Sequence, residues 1–286
     1  MNARPTPPAR AATRAVPAEQ FRLVCGPMPD GGTGILERHV EWPWSFPRGY
    51  RREGRTGPLT VLPQTAGAAL LPGDDWGHAL RLEPGARVRL VSAGAMLVHA
   101  TPRAQPDAPP GAVRWRIEVG AGAELQFVPD PYVLSPGARI RQTLDLTVRE
   151  GASAVVFDGF CRRGPGDGST AEDTGGWWSS CLTLRDAAGR VVLTDSQRAD
   201  EGQLAALRRM PGRPAAFGSV VLVGPAAQRA RWAGLWPEGA VAMAQCHAAS
   251  GALRGGAGQV LRIAAESGGA LDQAFATIAR ALGAGG

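Results

Sequence analysis

The sequence predicts a mainly β protein: stacked antiparallel sheets, of β-sandwich or helical-stack type, closed by one or two carboxy-terminal α-helices. Three observations predict it. The 39 glycines and 24 prolines among 286 residues fall between short apolar runs, a distribution that favours many strands and turns over long helices. Leu80 and Leu82 alternate with Arg81 and Glu83, and beyond a Pro84-Gly85 turn Ala86, Val88 and Leu90 alternate with Arg87 and Arg89. Period-two alternation about such a turn reads as a half-buried antiparallel hairpin. The plan then recurs. Trp115, Ile117 and Val119 lead through Gly120-Ala121-Gly122 to Leu125 and Phe127; Leu144, Leu146 and Val148 lead through Glu150-Gly151 to Val155-Val156-Phe157. Each unit has one apolar face to cover, so the units predict two facing sheets. The turn glycines Gly85, Gly122 and Gly151 are unevenly spaced, which argues against a strict solenoid.

In chain order, residues 1–20 are rich in Pro, Ala and Arg with one acidic residue, and read as a disordered tail. Residues 21–286 read as one β domain. Its first part, Phe21 to Tyr50, has a Trp42-Pro43-Trp44-Ser45-Phe46-Pro47 run whose prolines suit only an edge strand. Pro102 to Gly111 and Arg162 to Gly176 read as loops, and Trp177 to Thr194 as a hairpin about Ala188-Gly189. Gly218 to Gly224 is a continuously apolar, buried strand. Helical patterns span 225–236 and 269–282. In the second, Leu271, Phe275, Ile278 and Leu282 share one face and Ser267 or Gly268 is the cap. That stripe is expected to dock on the sheet, the alternative being a partner interface.

All 31 basic residues are Arg, so lysine-dependent chemistry, including the P-loop and Schiff-base kinds, has no residue to use. A net charge of +6 suits an acidic protein surface. No basic run and no interleaving of basic and aromatic residues supports nucleic-acid binding, and no run of eighteen apolar residues predicts a membrane span. Cys25, Cys161, Cys181 and Cys246 form no CxxC pair, and no secretory core precedes them. A reducing cytoplasm is therefore the expected compartment.

No nucleophile elbow, HExxH, Walker loop or dinucleotide fingerprint is present, so the chain is not expected to be an enzyme. His39, His78, His99 and His247 form no short-spaced ligand set. Cys246-His247 sets a thiol beside an imidazole, but neighbours on a strand point to opposite faces. Asp74-Asp75 places two carboxylates in a Gly-flanked turn, either as turn-formers or as a resting place for a cation.

Several segments in fixed order carry a family resemblance: Gly57-Pro58-Leu59-Thr60-Val61, the turn Leu71-Pro72-Gly73-Asp74-Asp75, the strand pair Leu80 to Leu90, Glu124 to Asp130, and Phe157-Asp158-Gly159-Phe160-Cys161-Arg162-Arg163-Gly164. From about Arg55 to Leu282 this order resembles the UreD (UreH) family of urease accessory proteins. The resemblance implies a β scaffold without catalytic activity that binds the urease apoprotein, a UreF-like accessory protein and a UreG-like GTPase. It also implies no tightly bound cofactor, with nickel as a passing cargo. Asp74, Asp75 and Asp158 lie in the matching motifs and are the candidates for a nickel path. The chain departs from the family pattern where Thr65-Ala66-Gly67-Ala68 precede the acidic turn, at Met96-Leu97, and in carrying Asp158 for the usual Glu. A β-sandwich interaction or ligand-binding module without a urease role is the alternative reading.

Overall fold

The computed structural model describes residues 19–67, 69–100, 107–163, 175–207, 209 and 211–283. The tail expected over 1–20 lies outside them up to residue 18, as do residues 102–106 and 164–174 of the two expected loops. In chain order the strands are β1 (Phe21–Pro27), β2 (Thr33–Val40), β3 (Trp44–Ser45), β4 (Leu59–Val61), β5 (Gln64–Thr65), β6 (Ala69–Leu70) and β7 (Asp75–Leu82). There follow β8 (Arg87–Val91), β9 (Leu97–Val98), β10 (Gly111–Val119), β11 (Glu124–Val128), β12 (Tyr132–Leu134), β13 (Arg139–Val148) and β14 (Ser153–Arg162). The last third holds β15 (Trp177–Arg185), β16 (Val191–Asp200), α1 (Glu201–Leu207), β17 (Ala216–Val223) and α2 (Ala226–Leu235). It ends with β18 (Gly239–Met243), β19 (Cys246–Ala252), β20 (Gly258–Ala265) and α3 (Gly268–Ala281).

Two large sheets face each other. The first runs β16-β15-β13-β10-β7-β1-β2; the second runs β18-β19-β20-β17-β14-β11-β8-β4, with β12, β9 and β6 attached beside it. The mainly β prediction with stacked sheets and carboxy-terminal helices therefore holds. The antiparallel hairpin pairing of the repeated units does not. β7 and β8 flank the Pro84-Gly85 turn yet lie in different sheets. β7 runs parallel to β10, with Leu80 opposite Ile117, and β8 runs parallel to β11, with Val88 opposite Leu125. β10 in turn pairs in parallel with β13, and β11 with β14. Each turn thus arches over the core from one sheet to the other, and the chain winds as a short helical stack. The sheets are antiparallel at their ends, in β1–β2, β15–β16 and β14-β17-β20-β19-β18. The expected 177–194 hairpin is one of these.

Alternation misled about pairing for a simple reason. It states which face of a strand is buried, and a strand arching over a core buries the same face as a strand folded back beside its neighbour. The turns themselves are stacked. Gly85 N donates to Ala121 O and Gly122 N to Glu150 O, both at 3.0 Å. The left-handed φ values of 75°, 64° and 68° at Gly85, Gly122 and Gly151 explain why each arch needs glycine.

β14 faces two cores. Ala154, Val156 and Phe160 pack toward the first sheet, while Val155 and Phe157 pack toward the helices. The apolar stripe of α3 docks there: Leu271, Phe275 and Ile278 are buried, and Phe275 meets Phe157 edge to face at 5.0 Å. Close docking depends on Gly218, where an added Cβ would lie 2.6 Å from the Phe275 ring. Ser267 caps the helix, its Oγ accepting from Ala270 N at 3.1 Å. The stripe is covered by the chain's own sheet, as expected.

The opening segment corrects the sequence reading. Phe21 to Pro27 is an inner strand between β7 and β2, and the Trp42–Pro47 run supplies only the two-residue β3, paired with β5. Glu19 and Gln20, assigned to the tail, are anchored: Glu19 pairs with Arg116 at 2.7 Å and Gln20 Oε1 accepts from Gly77 N at 2.6 Å. Helix α1 is an element beyond the two helices expected from the sequence.

Candidate functional site

The three carboxylates singled out from the sequence do not converge. Asp74 closes the turn that leads into β7: its Oδ2 accepts from Leu71 N at 2.8 Å and its own N–H donates to Leu71 O at 3.1 Å. Asp75 is half exposed on the outer face of the first sheet, where it pairs with the Arg114 guanidinium of β10. Asp158 sits on the second sheet and points into the space between sheets. Its partners come from the first sheet, Gln142 of β13 and Ser180 of β15. In register, Asp75 belongs to the row Ala112–Arg141–Ser179, next to the row Val113–Gln142–Ser180 that faces inward. One acidic place is outside and local. The other is inside and assembled from distant strands.

The inner place is a buried polar cluster. Gln142 Nε2 donates to Asp158 Oδ1 at 2.8 Å and Ser180 Oγ donates to Oδ2 at 2.5 Å. Burial pushes the Asp158 carboxyl above the ordinary range, the Ser180 and Gln142 hydrogen bonds oppose that, and the charge of Asp195 adds to it. Asp195 is itself held by Arg262 at 2.6 Å and by Gln197 Nε2 at 3.1 Å. The cluster encloses a space of about 10 Å³, roughly one water by the minimum a buried water needs. Asp195 lines this space and pairs with Arg262 of β20, so the interior charge is partly balanced. Both Asp158 carboxylate oxygens are thus engaged by donors from the facing sheet.

Next to it, sharing Gln142, lies a larger cavity of about 370 Å³ with aromatic walls. Trp76 and His78 come from β7, Trp115 from β10, Phe127 from β11, Tyr132 from β12 and Trp44 from the short β3. His78 is 2% exposed and stacks on Trp115 with centroids 4.3 Å apart and planes at 14°. Its Nδ1 lies 3.0 Å from the Arg114 carbonyl, which fixes that nitrogen as the N–H donor. Burial lowers the His78 pKa to about 4, the Arg114 carbonyl pulling weakly the other way, so the ring is neutral. Desolvation first, and then the Asp158 charge, hold the Tyr132 phenol above its ordinary value. At the mouth, Ser92 Oγ donates to Asp130 Oδ2 at 2.5 Å.

The Cys246-His247 pair behaves as neighbours on a strand must. The Cys246 thiol faces Ala270 O of α3 at 3.8 Å, whereas His247 Nε2 lies 3.2 Å from Pro211 O. Among the described residues no three His, Cys, Asp or Glu side chains gather as a metal set, and no helix is long and apolar enough to cross a membrane. The aromatic cavity and the Asp195 contribution escaped sequence reasoning because their residues come from strands far apart in the chain. Their only local trace was the inward spacing of Trp76 and His78.

The comparisons with known proteins agree with the motif order. The family model described as "UreD urease accessory protein" matches residues 19–285. A urease accessory protein UreD 1 of Methylorubrum extorquens is 31% identical over 255 residues, covering 87% of this chain and 83% of that protein. A UreD 1 of Bradyrhizobium sp. is 34% identical over 199 residues, 68% of this chain and 66% of that protein. A UreD of Mycolicibacterium smegmatis is 29% identical over 239 residues, 84% and 81% respectively. Matched from its first inner strand to its last helix, this chain belongs to the UreD family of urease accessory proteins.

Proposed function

We propose that the chain acts in urease maturation as a scaffold without catalytic activity. In this reading it binds the urease apoprotein, a UreF-like accessory protein and a UreG-like GTPase in the cytoplasm, and eases delivery of nickel. The observation that carries it is the family match over residues 19–285, with relatives named as urease accessory proteins. Absence of lysine supports the division of labour, because nucleotide hydrolysis then falls to a partner. The nickel ion is cargo here. Asp158 is its best-placed contact, because oxygen donors of modest number release a borderline metal, whereas a full set of soft ligands would retain it. Asp74 and Asp75 serve the turn and the Arg114 pair on the first sheet.

The test is to co-express urease subunits and accessory proteins with and without this chain, then measure urease activity and nickel per urease. Omission should leave urease largely nickel-free, and pull-down of the intact chain should recover urease and the UreF-like protein. Full activation without the chain would sink the reading. Asp158→Asn separates the finer claim: the complex should assemble while the nickel content of urease falls.

A further inference from the structure

The aromatic cavity is built more elaborately than a sandwich core requires. Aromatic side chains from β3, β7, β10, β11 and β12 converge on about 370 Å³, within the usual range for small-molecule sites. Two buried nitrogens in its wall have no hydrogen-bond partner: Nε2 of His78 and Nε1 of Trp44. Buried polar atoms left unpaired carry a penalty of about 1–3 kcal/mol each, so two on adjoining rings, with centroids 4.6 Å apart, call for an explanation. We propose that this cavity binds a small, uncharged, planar heteroaromatic molecule that gives one hydrogen bond to His78 Nε2 and takes one from Trp44 Nε1. This inference goes beyond the urease reading and does not depend on it.

The chemistry follows from the wall. Nδ1 of His78 carries its hydrogen toward Arg114 O, so Nε2 offers a lone pair. The Trp44 nitrogen can only donate. A ligand with an N–H beside a ring nitrogen satisfies both. The neutral His78 ring and the surrounding indoles favour an uncharged π surface, stacked as His78 already is on Trp115. The nearby carboxylate at the mouth, Asp130, is committed to Ser92 through both its side chain and its backbone N–H. Ring neighbours shield both nitrogens from solvent, so binding requires Trp44 to move aside. Its backbone is held by the two-residue pairing of β3 with β5, and its ring packs on Phe21, Trp76 and His78.

Indazole, which places an N–H beside a ring nitrogen, is the probe, and calorimetric titration of the full-length chain is the measurement. Saturable binding is expected with half-saturation below about 1 mM, and 1-methylindazole, which lacks the donor, should bind at least about tenfold more weakly. Trp44→Phe keeps the ring and removes the N–H, and should weaken indazole by a similar factor; His78→Phe should do the same, and should that variant fail to fold, Trp44→Phe decides. No saturable heat, equal binding of the methylated probe, unchanged binding in Trp44→Phe, or preference for tetramethylammonium over indazole would each overturn the proposal.

Discussion

The two acidic places in this molecule are made of the same residue type and do opposite things. Asp74 and Asp75 sit at the lip of the first sheet, Asp74 bonded to the nearby Leu71 and Asp75 half exposed and paired with Arg114 of the neighbouring strand. Asp158 and Asp195 sit between the sheets, held by residues from β13, β15, β16 and β20. At the lip, one carboxylate organises a turn and the other makes a half-exposed cross-strand pair. Inside, desolvation makes the same group expensive to ionise. Sequence position alone favoured the lip, since adjacent carboxylates in a Gly-flanked turn are easy to see. The fold shows that the desolvated carboxylate is the interior one.

Four substitutions test that contrast. Asp158→Leu should have the largest effect, about 2–4 kcal/mol of lost stability in denaturant unfolding, because Gln142 and Ser180 would be left buried without their acceptor. A smaller loss would mean that water enters and substitutes. Asp158→Asn should be better tolerated than Asp158→Leu, and its comparison with wild type should depend on pH. Burial raises the folded carboxyl above its ordinary value, so between the unfolded and folded values the native state holds more protons, and wild-type stability falls as pH rises through that window. The amide does not titrate. The Asn variant should match wild type at acid pH and gain on it toward neutral pH; a gap widening in the other direction would show that the carboxylate is stabilised as the anion.

At the lip the effects shrink. Asp74→Ala should lose about 1 kcal/mol with the turn hydrogen bond to Leu71 N, leaving urease activation in proportion to the amount of folded protein. A loss of activation at full solubility would place the turn on the nickel path. Asp75→Asn should change stability by less than about 1 kcal/mol, because its pair with Arg114 is half exposed. Chemical denaturation in low and high salt would check it, and a large salt-independent loss would show that the pair is more than a surface contact.

The sequence disclosed these features unevenly. Alternation at Leu80, Leu82, Val88 and Leu90 located strands and their buried faces correctly, and Leu271, Phe275 and Ile278 located α3 and the face it buries. Pairing was hidden, because an arch and a hairpin share one pattern and differ only in which distant strand lies alongside. Helix α1 has a local signal in the sequence: Asp200 and Gln203 cap each other reciprocally, with Gln203 N donating to Asp200 Oδ1 at 2.8 Å and Asp200 N to Gln203 Oε1 at 3.1 Å. The inner site was legible only as a lone Asp158 in a family motif. Its partners Gln142 and Ser180 are ordinary polar positions until parallel stacking sets their two strands side by side.

Strand β14 carries a thermodynamic consequence. With Val156 and Phe160 in one core and Val155 and Phe157 in the other, it cannot leave either without opening both. The sandwich and the helix layer are therefore bound into one cooperative unit, although each has apolar contacts enough to look self-sufficient. A single calorimetric transition is the signature, with equal calorimetric and van't Hoff enthalpies. A lesion in α3, such as Phe275→Ala, should lower the melting point of the distant parallel stack as much as that of the helices it touches.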